Sequence, residues 1–410
     1  MRCLKMSIIL FSLISCQKST QHKGHLPAGS SDHEVVYCSS RAGNQQSQFC
    51  PDVENSQAQD QIVEKFGSKD QQGNKNSGRS QRESTQNQDE RVIKNDNLSS
   101  ASQNVGNRLF VCGTKICNAQ NEPVQLRGMS THGIQWFSQC VTKDSIAVIA
   151  NDWGANVFRI AMYIQEEGYE TDPEKFYLQV EEYVEYATDL GLYVIIDWHI
   201  LTPGDPNFNT ELAKDFFDRV SKKYKDYDNI LYEIANEPNG DDVTWGRIKN
   251  YADQIIPVIR ANDSEAIIIV GTPGWSSLGV SGGGGTETYM EIVNNKINDD
   301  QVMYTFHFYA ASHGDLYREV LDKAKNVLPL FVTEFGTTPA SGEGAPDLES
   351  TEKWLDLLDQ SQISWLNWTY SDHEEESAAF IPGTCQQKSW ADKNQLKPSG
   401  KKIVDRLLNQ

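Results

Sequence analysis

Positive charge is scarce in this chain of 410 residues: 37 Lys and Arg stand against 57 Asp and Glu, a formal net charge of −20. A field of that sign repels phosphate backbones and anionic headgroups, so nucleic acid is not an expected partner and acidic polysaccharides are disfavoured. A neutral polymer meets no such penalty, although acidity also serves solubility alone. Long apolar runs are missing too, and the most apolar stretch, residues 6–14, is too short to cross a bilayer as a helix. There is no C-x-x-C pair and no histidine cluster at ligand spacing, which argues against structural zinc. No glycine-rich phosphate loop follows the first apolar segment of the globular region, which weakens a nucleotide-binding sheet. No metal and no cofactor is expected.

What is present begins with an export signal. Arg2 and Lys5 precede the apolar stretch, which closes on Leu13-Ile14-Ser15-Cys16. That closure resembles the lipobox of bacterial lipoproteins, in which the cysteine is acylated, so Cys16 is the expected lipidation site and the chain is expected to be tethered to the cell envelope, facing outward. An ordinary leader with a fortuitous cysteine, giving a freely secreted protein, is the alternative. Setting aside Cys3 and Cys16 leaves six cysteines, Cys38, Cys50, Cys112, Cys117, Cys140 and Cys385, which in an oxidising compartment suggests disulfides. Cys112 and Cys117 bracket a hairpin turn and can face each other, whereas Cys38 and Cys50 can close a local loop. The remaining connectivity is open.

Residues 17–105 are rich in Gln, Ser, Asn, Asp, Lys and Gly and show no apolar periodicity. Such a segment buries too little to offset its ordering entropy, and reads as a disordered linker between the leader (1–16) and a globular region (106–410). Within that region, after a hairpin at 109–111 and 116–118, eight strand-like segments alternate with helical ones. The strands are expected at 124–131, 155–162, 193–198, 230–235, 266–271, 302–308, 328–334 and 363–369. Helices are expected near 144–152, 174–190, 209–224, 244–261, 286–296, 314–326, 347–360 and 399–408. Eight of each is the (β/α)8 TIM-barrel count, and runs such as Ile267-Ile268-Ile269-Val270 suit parallel strands buried on both faces. A doubly wound open sheet is the fallback.

Active sites in such barrels gather at the C-terminal strand ends. Those ends carry His132, Arg159 and Tyr163, Trp198 and His199, Asn236 and Glu237, His307 and Tyr309, Glu334, and Trp368, with Trp275 following the fifth strand. One polar residue at a strand end is ordinarily a cap, but eight convergent ends point to a site. Glu237 and Glu334 end apolar strands where an unpaired carboxylate is costly. Two such carboxyls about 5 to 5.5 Å apart suit glycoside cleavage with retention, and inversion needs roughly 6.5 to 9.5 Å.

The segments Gly128-Met129-Ser130-Thr131-His132-Gly133-Ile134-Gln135-Trp136, Asn236-Glu237-Pro238, His307-Phe308-Tyr309-Ala310 and Thr333-Glu334-Phe335-Gly336 resemble glycoside hydrolase family 5, closest to its bacterial endoglucanase subfamily. The resemblance implies a retaining endo-β-1,4-glucanase in which Glu237 falls on the acid/base and Glu334 on the nucleophile. Arg159, His199, Asn236, His307, Tyr309 and Trp368 fall on its other active-site positions, and His132 on a substrate-binding histidine. The residue chemistry is compatible. Arg159 can hold Glu334 ionised, Asn236 can donate to a sugar 2-hydroxyl, and Tyr309 and His307 can bond the nucleophile. Trp136, Trp275, Trp368 and Tyr163 offer flat faces for pyranose rings. His373 departs from the subfamily, which commonly has Lys there, and is flanked by Asp372 and the acidic run 374–376. A monomer acting on a β-1,4-glucan is expected. The open alternatives are a mannanase, xyloglucanase or mixed-linkage glucanase, or a carbohydrate-binding barrel without turnover.

Overall fold

The computed structural model describes residues 108–409, and the expected leader, Cys16, linker and Cys38–Cys50 loop lie outside them. The described chain opens with β1 (Phe110–Cys112) and β2 (Lys115–Cys117), an antiparallel hairpin turned at Gly113 and bridged by a Cys112–Cys117 disulfide. Eight parallel strand positions follow: β3 (Arg127–Thr131), β4 (Val157–Tyr163), β5 (Tyr193–His199), β6 (Ile230–Glu233), β7 (Ile268–Val270), β8 (Val302–Thr305) with its short continuation β9 (Phe308–Tyr309), β10 (Leu330–Gly336) and β11 (Trp365–Tyr370). Each pairs with its successor and β11 pairs back to β3, so the sheet closes. The expected barrel is present.

The helices are α1 (Lys143–Ala147), α2 (Pro173–Asp189), α3 (Thr210–Tyr224), α4 (Trp245–Arg260), α5 (Pro273–Ser276), α6 (Met290–Asn294), α7 (Asp315–Ala324), α8 (Leu348–Gln360), α9 (Thr384–Gln387) and α10 (Pro398–Leu408), the longer of them covering the outside and the short α5 sitting at the mouth of the barrel. Two expectations are corrected. The helix at 144–152 is α1 continued by a π turn, Val148–Asp152, in which Trp153 N–H reaches Val148 O. The helix at 286–296 shortens to α6, because the glycines at 282–285 make the preceding chain costly to order and it runs as turns.

Alternation along β4 sorts the interior. Phe158, Ile160 and Met162 face the helices, while Val157, Arg159, Ala161 and Tyr163 face the barrel axis. The same alternation in β5 turns Trp198 outward against Phe216 and Phe217 of α3, so this strand-end Trp is core, whereas His199 points inward. The inward residues stack in layers. The lowest is apolar, built from Val157, Ile195, Leu231, Ile269, Met303, Phe331 and Leu366 and plugged by Leu109 and Ile116 of the hairpin. Arg108 clamps the plug from below through Asp263, 2.6 Å away, and the carbonyls of Lys225 and Tyr227.

Because Ile116 fills the floor of the barrel far from the strand ends, Ile116→Ala is expected to lower unfolding free energy by about 2 to 4 kcal/mol through a cavity the closed sheet cannot collapse. Denaturant titration measures the loss.

Candidate active site

Above the apolar floor lies a layer of buried charge centred on Arg159, which is fully buried. Its Nε meets Glu233 Oε2 at 2.7 Å, Nη2 meets Asn236 Oδ1 at 2.6 Å and Asp197 Oδ2 at 2.9 Å, and Nη1 reaches Glu334 Oε2 at 3.3 Å. One guanidinium thus serves three carboxylates. Burial alone would weaken its charge, but Asp197, Glu233 and Glu334 together outweigh that and raise its pKa. Asp197 is pushed up to about 7 by burial, against the pull of Arg159.

His199 stands on this layer. Asn236 Nδ2–H donates to its Nε2 at 3.1 Å, so its Nδ1–H donates to Asp197 Oδ2 at 2.6 Å and the ring is neutral. The other amide hydrogen of Asn236 goes to Ile200 O at 3.2 Å. Both N–H groups of Asn236 are thus engaged within the protein, and donation to a sugar hydroxyl would require one of them to be redirected.

Glu334 reaches the axis through an irregularity. Regular alternation would place Thr333 inward and Glu334 outward, yet the β10–β11 register shifts between Val332 and Phe335. A bulge re-aims side chains locally. Thr333 and Glu334 both make contacts inside the barrel, and Phe335 packs outward. Tyr309 O–H donates to Glu334 Oε1 at 2.8 Å. Its ring fits because Gly336 has no side chain, since a Cβ there would come within 2.3 Å of it.

His307 occupies the break between β8 and β9. Its N–H leaves the strand ladder to bond Ser276 O at 2.7 Å, which is why the expected 302–308 strand is interrupted. The turned-in ring places Nδ1 2.9 Å from Glu237 Oε1 and Nε2 2.8 Å from Thr333 Oγ1. His307 thus bonds Glu237, not Glu334 as expected. Glu237 is pinned by its neighbours, with Ser276 Oγ donating to Asn236 O at 2.6 Å and Trp275 N–H donating to Pro238 O at 3.0 Å. Trp275 itself adopts φ 54°, a strained backbone for a bulky residue, and leaves its ring 43% exposed beside the carboxyls.

One carboxylate oxygen each of Glu237 and Glu334 lie within 4.8 Å of each other. Both carboxyls are buried and both are pushed up, Glu237 to about 8 by burial first and then by nearby Asp197 and Glu233, against Arg159. Of the two, Glu237 holds the proton, because Glu334 receives the Tyr309 hydroxyl and Arg159 while Glu237 faces an imidazole. A cleft of about 430 Å3 opens over the pair, lined among others by His132, Tyr163, Trp275, Trp368 and Glu375.

His132 bridges to the rim, its ring 5.1 Å from Trp368 and 5.3 Å from His373. Trp136 is 37% exposed and meets Tyr163 edge-on at 5.0 Å. His373 does not line the cleft floor and its side chain is 44% exposed. Its neighbour Asp372 faces away, accepting the N–H groups of Gly383 and Cys385 beside the Cys140–Cys385 disulfide, a pairing the sequence left open. His132, His373 and Glu375 lie close enough to suggest a metal, with nitrogen–oxygen separations of 3.6 and 3.7 Å. However, His132 Nδ1 accepts Gly133 N–H at 2.7 Å, so Nε2 carries the hydrogen and is not a free ligand atom.

Sequence reading missed Asp197, Glu233, Thr333 and Glu375. Asp197 and Glu233 were detectable as charges at inward positions of otherwise apolar strands.

A closed (β/α)8 barrel with paired carboxylates at its strand ends is the architecture of a glycoside hydrolase. The chain belongs to the cellulase family, glycosyl hydrolase family 5, whose model matches residues 117–374. It is 50% identical over 300 residues to endoglucanase E-5 of Thermobifida fusca, covering 73% of this chain and 63% of that one. It is 52% identical over 303 residues to endoglucanase CelA of Streptomyces lividans, covering 74% and 64%. The chain therefore spans less than two thirds of the length of these relatives. Among solved structures, the catalytic domain of a Thermobifida fusca endoglucanase, crystallised with cellotetraose, is 48% identical with a TM-score of 0.73, covering 76% of this chain and all of that one.

At neutral pH Glu237 should be protonated and should lose its proton near pH 8. Carbon-13 spectra of carboxyl-labelled glutamate are expected to show a resonance titrating there that is absent in Glu237→Gln. A Glu237 signal that titrates near the ordinary value of about 4.3 would overturn the assignment.

Proposed function

We propose that the chain is a retaining endo-β-1,4-glucanase. The observation that carries this is the pair of buried carboxyls at the strand ends, with an oxygen of each within 4.8 Å of the other, an approach that favours the closely spaced pair of retention over the wider pair of inversion. Glu334 is the nucleophile: its oxygen attacks the anomeric carbon while protonated Glu237 gives its hydrogen to the departing glycosidic oxygen. Glu237, now a carboxylate, takes a proton from water, which displaces Glu334 and restores the β configuration. No metal or cofactor enters this sequence. Arg159 and Tyr309 stabilise the Glu334 carboxylate, and His199 and Asn236 hold the layer beneath it.

The choice of β-1,4-glucan is supported by the relatives' names as endoglucanases and by the cellotetraose in the related crystal structure. Trp136, Trp275, Trp368 and Tyr163 supply aromatic faces to a sugar chain, and His132 and His373 its far end. The enzyme acts as a monomer. The leader (1–16) exports it, Cys16 anchors it in lipid facing outward, and residues 17–105 link the anchor to the barrel at 106–410. Among the described residues no helix is long and apolar enough to cross a membrane. Cys16→Ser is expected to move activity from the membrane fraction to the soluble exported fraction, and an unchanged distribution would remove the anchor.

Glu334→Ala and Glu237→Ala should each lower kcat on a soluble β-1,4-glucan by on the order of 10³-fold or more. Azide should rescue Glu334→Ala and yield the α-glycosyl azide. Proton NMR of wild-type hydrolysis should show the β-anomer first. First release of the α-anomer would exclude retention, and absence of reducing ends from every β-glycan in a panel would leave only a binding role.

A further inference from the structure

The hydrogen-bond chain through His307 has a direction, and that direction decides where the acid proton sits. Burial pushes the Glu233 carboxyl up, but Arg159, charged at every accessible pH, opposes that by holding Glu233 Oε2 at 2.7 Å, a contact only the ionised form can fully return. Glu233 Oε1 accepts the hydroxyl of Thr333 at 2.7 Å. A hydroxyl has one hydrogen, so Thr333 can only accept from His307, and Nε2, 2.8 Å away, carries a hydrogen. His307 is 2% exposed, and burial holds its pKa down at about 4, so the ring is neutral and has no second hydrogen. Its Nδ1 is then an acceptor, 2.9 Å from Glu237 Oε1. Two acceptors do not bond, so the hydrogen between them belongs to Glu237.

We propose that Thr333 and Glu233 are positioning residues that fix the polarity of this chain and thereby keep the reaction's proton on Glu237. The inference rests on the glycosidase reading for its catalytic meaning. Reversing the chain, with Glu233 protonated and His307 donating from Nδ1, has the same net charge and leaves the acid discharged. Arg159 selects against that state. After Glu237 has protonated the leaving oxygen, its carboxylate meets the lone pair of His307 Nδ1 with no hydrogen between them. That contact strengthens it as the base that then takes a proton from water. The same two residues therefore serve both halves of the double displacement.

The other groups acting on Glu237 are Arg159 from β4, Asp197 from β5, Glu233 from β6 and Glu334 from β10, with the hydroxyls of Tyr163 and Tyr309 also near. His307 additionally feels His199. Thr333→Val alters none of these charges, so a change in its pH profile reports the chain itself. Glu233→Gln removes a charge, but it also presents an amide N–H to Thr333, which turns the hydroxyl hydrogen toward His307 Nε2 and reverses the polarity.

Nitrogen-15 spectra of the histidine-labelled full chain should show His307 with hydrogen on Nε2 and none on Nδ1, and with the opposite tautomer in Glu233→Gln. The alkaline pKa of kcat/KM should fall by about one unit or more in Thr333→Val and Glu233→Gln, and stay in place in Thr333→Ser, which keeps the hydroxyl. Hydrogen on His307 Nδ1 in the wild type would overturn the proposal. So would an unmoved alkaline limb in Thr333→Val, or a shift as large in Thr333→Ser. The nitrogen spectra need no turnover, so failure of the polarity is distinguishable from failure of the glycosidase reading.

Discussion

Arg159 is the constraint around which the rest is arranged. A guanidinium with no exposure cannot shed its proton, so the fold has to bring acceptors to it, and it does so from four other strands: Ser130 on β3, Asp197 on β5, Glu233 on β6 with Asn236 just beyond, and Glu334 on β10. Removing one partner of such a buried cluster costs about 3 to 5 kcal/mol, because the remaining charge is left unpaired. The cluster therefore specifies register as well as chemistry. A one-residue slip of any of these strands would send its inward polar residue outward among the helices.

The departures from regular structure share that purpose. The bulge in β10 lets two successive residues face inward, so that Thr333 can bond the layer below while Glu334 reaches Arg159. The break after β8 costs a ladder bond, replaced by the one to Ser276 O, and turns the His307 ring toward Glu237. The left-handed backbone at Trp275 is held by Pro238 O, so the exposed aromatic face and the Glu237 loop move together. Strain and irregularity concentrate at the strand ends, where orientation matters, while the floor of the barrel is apolar and regular.

How far this was legible in the sequence follows from the same physics. The eight strands and their helical partners show because parallel strands buried on both faces must be apolar, as in Ile267-Ile268-Ile269-Val270. Glu237 and Glu334 show because a carboxyl at the end of such a run has no ordinary structural purpose. Partner choice was not legible. Whether His307 bonds Glu334 or Glu237 depends on a strand break of two residues, and the engagement of Asn236 depends on the carbonyl of Ile200, which no side-chain pattern records. Trp198 was misplaced for a simpler reason: it sits at the right end of β5 but on the wrong side of the alternation.

The rim beyond the carboxyls is built by different means. Lys397 is only 6% exposed and donates to three successive carbonyls, those of His373, Glu374 and Glu375, at 2.7 to 2.9 Å. The Cys140–Cys385 disulfide and the Asp372 carboxylate fasten the segment just before them. His373 and Glu375 are thus presented by a loop held through its backbone, with no hydrogen bond or ion pair from their side chains to the Arg159 layer. Substitutions at His373 therefore change the rim without disturbing the charge network around Glu237. In a barrel whose buried carboxylates are locked together through one arginine, an independently fastened loop of this kind is where the cleft can diverge at least cost to the charge layer beneath it.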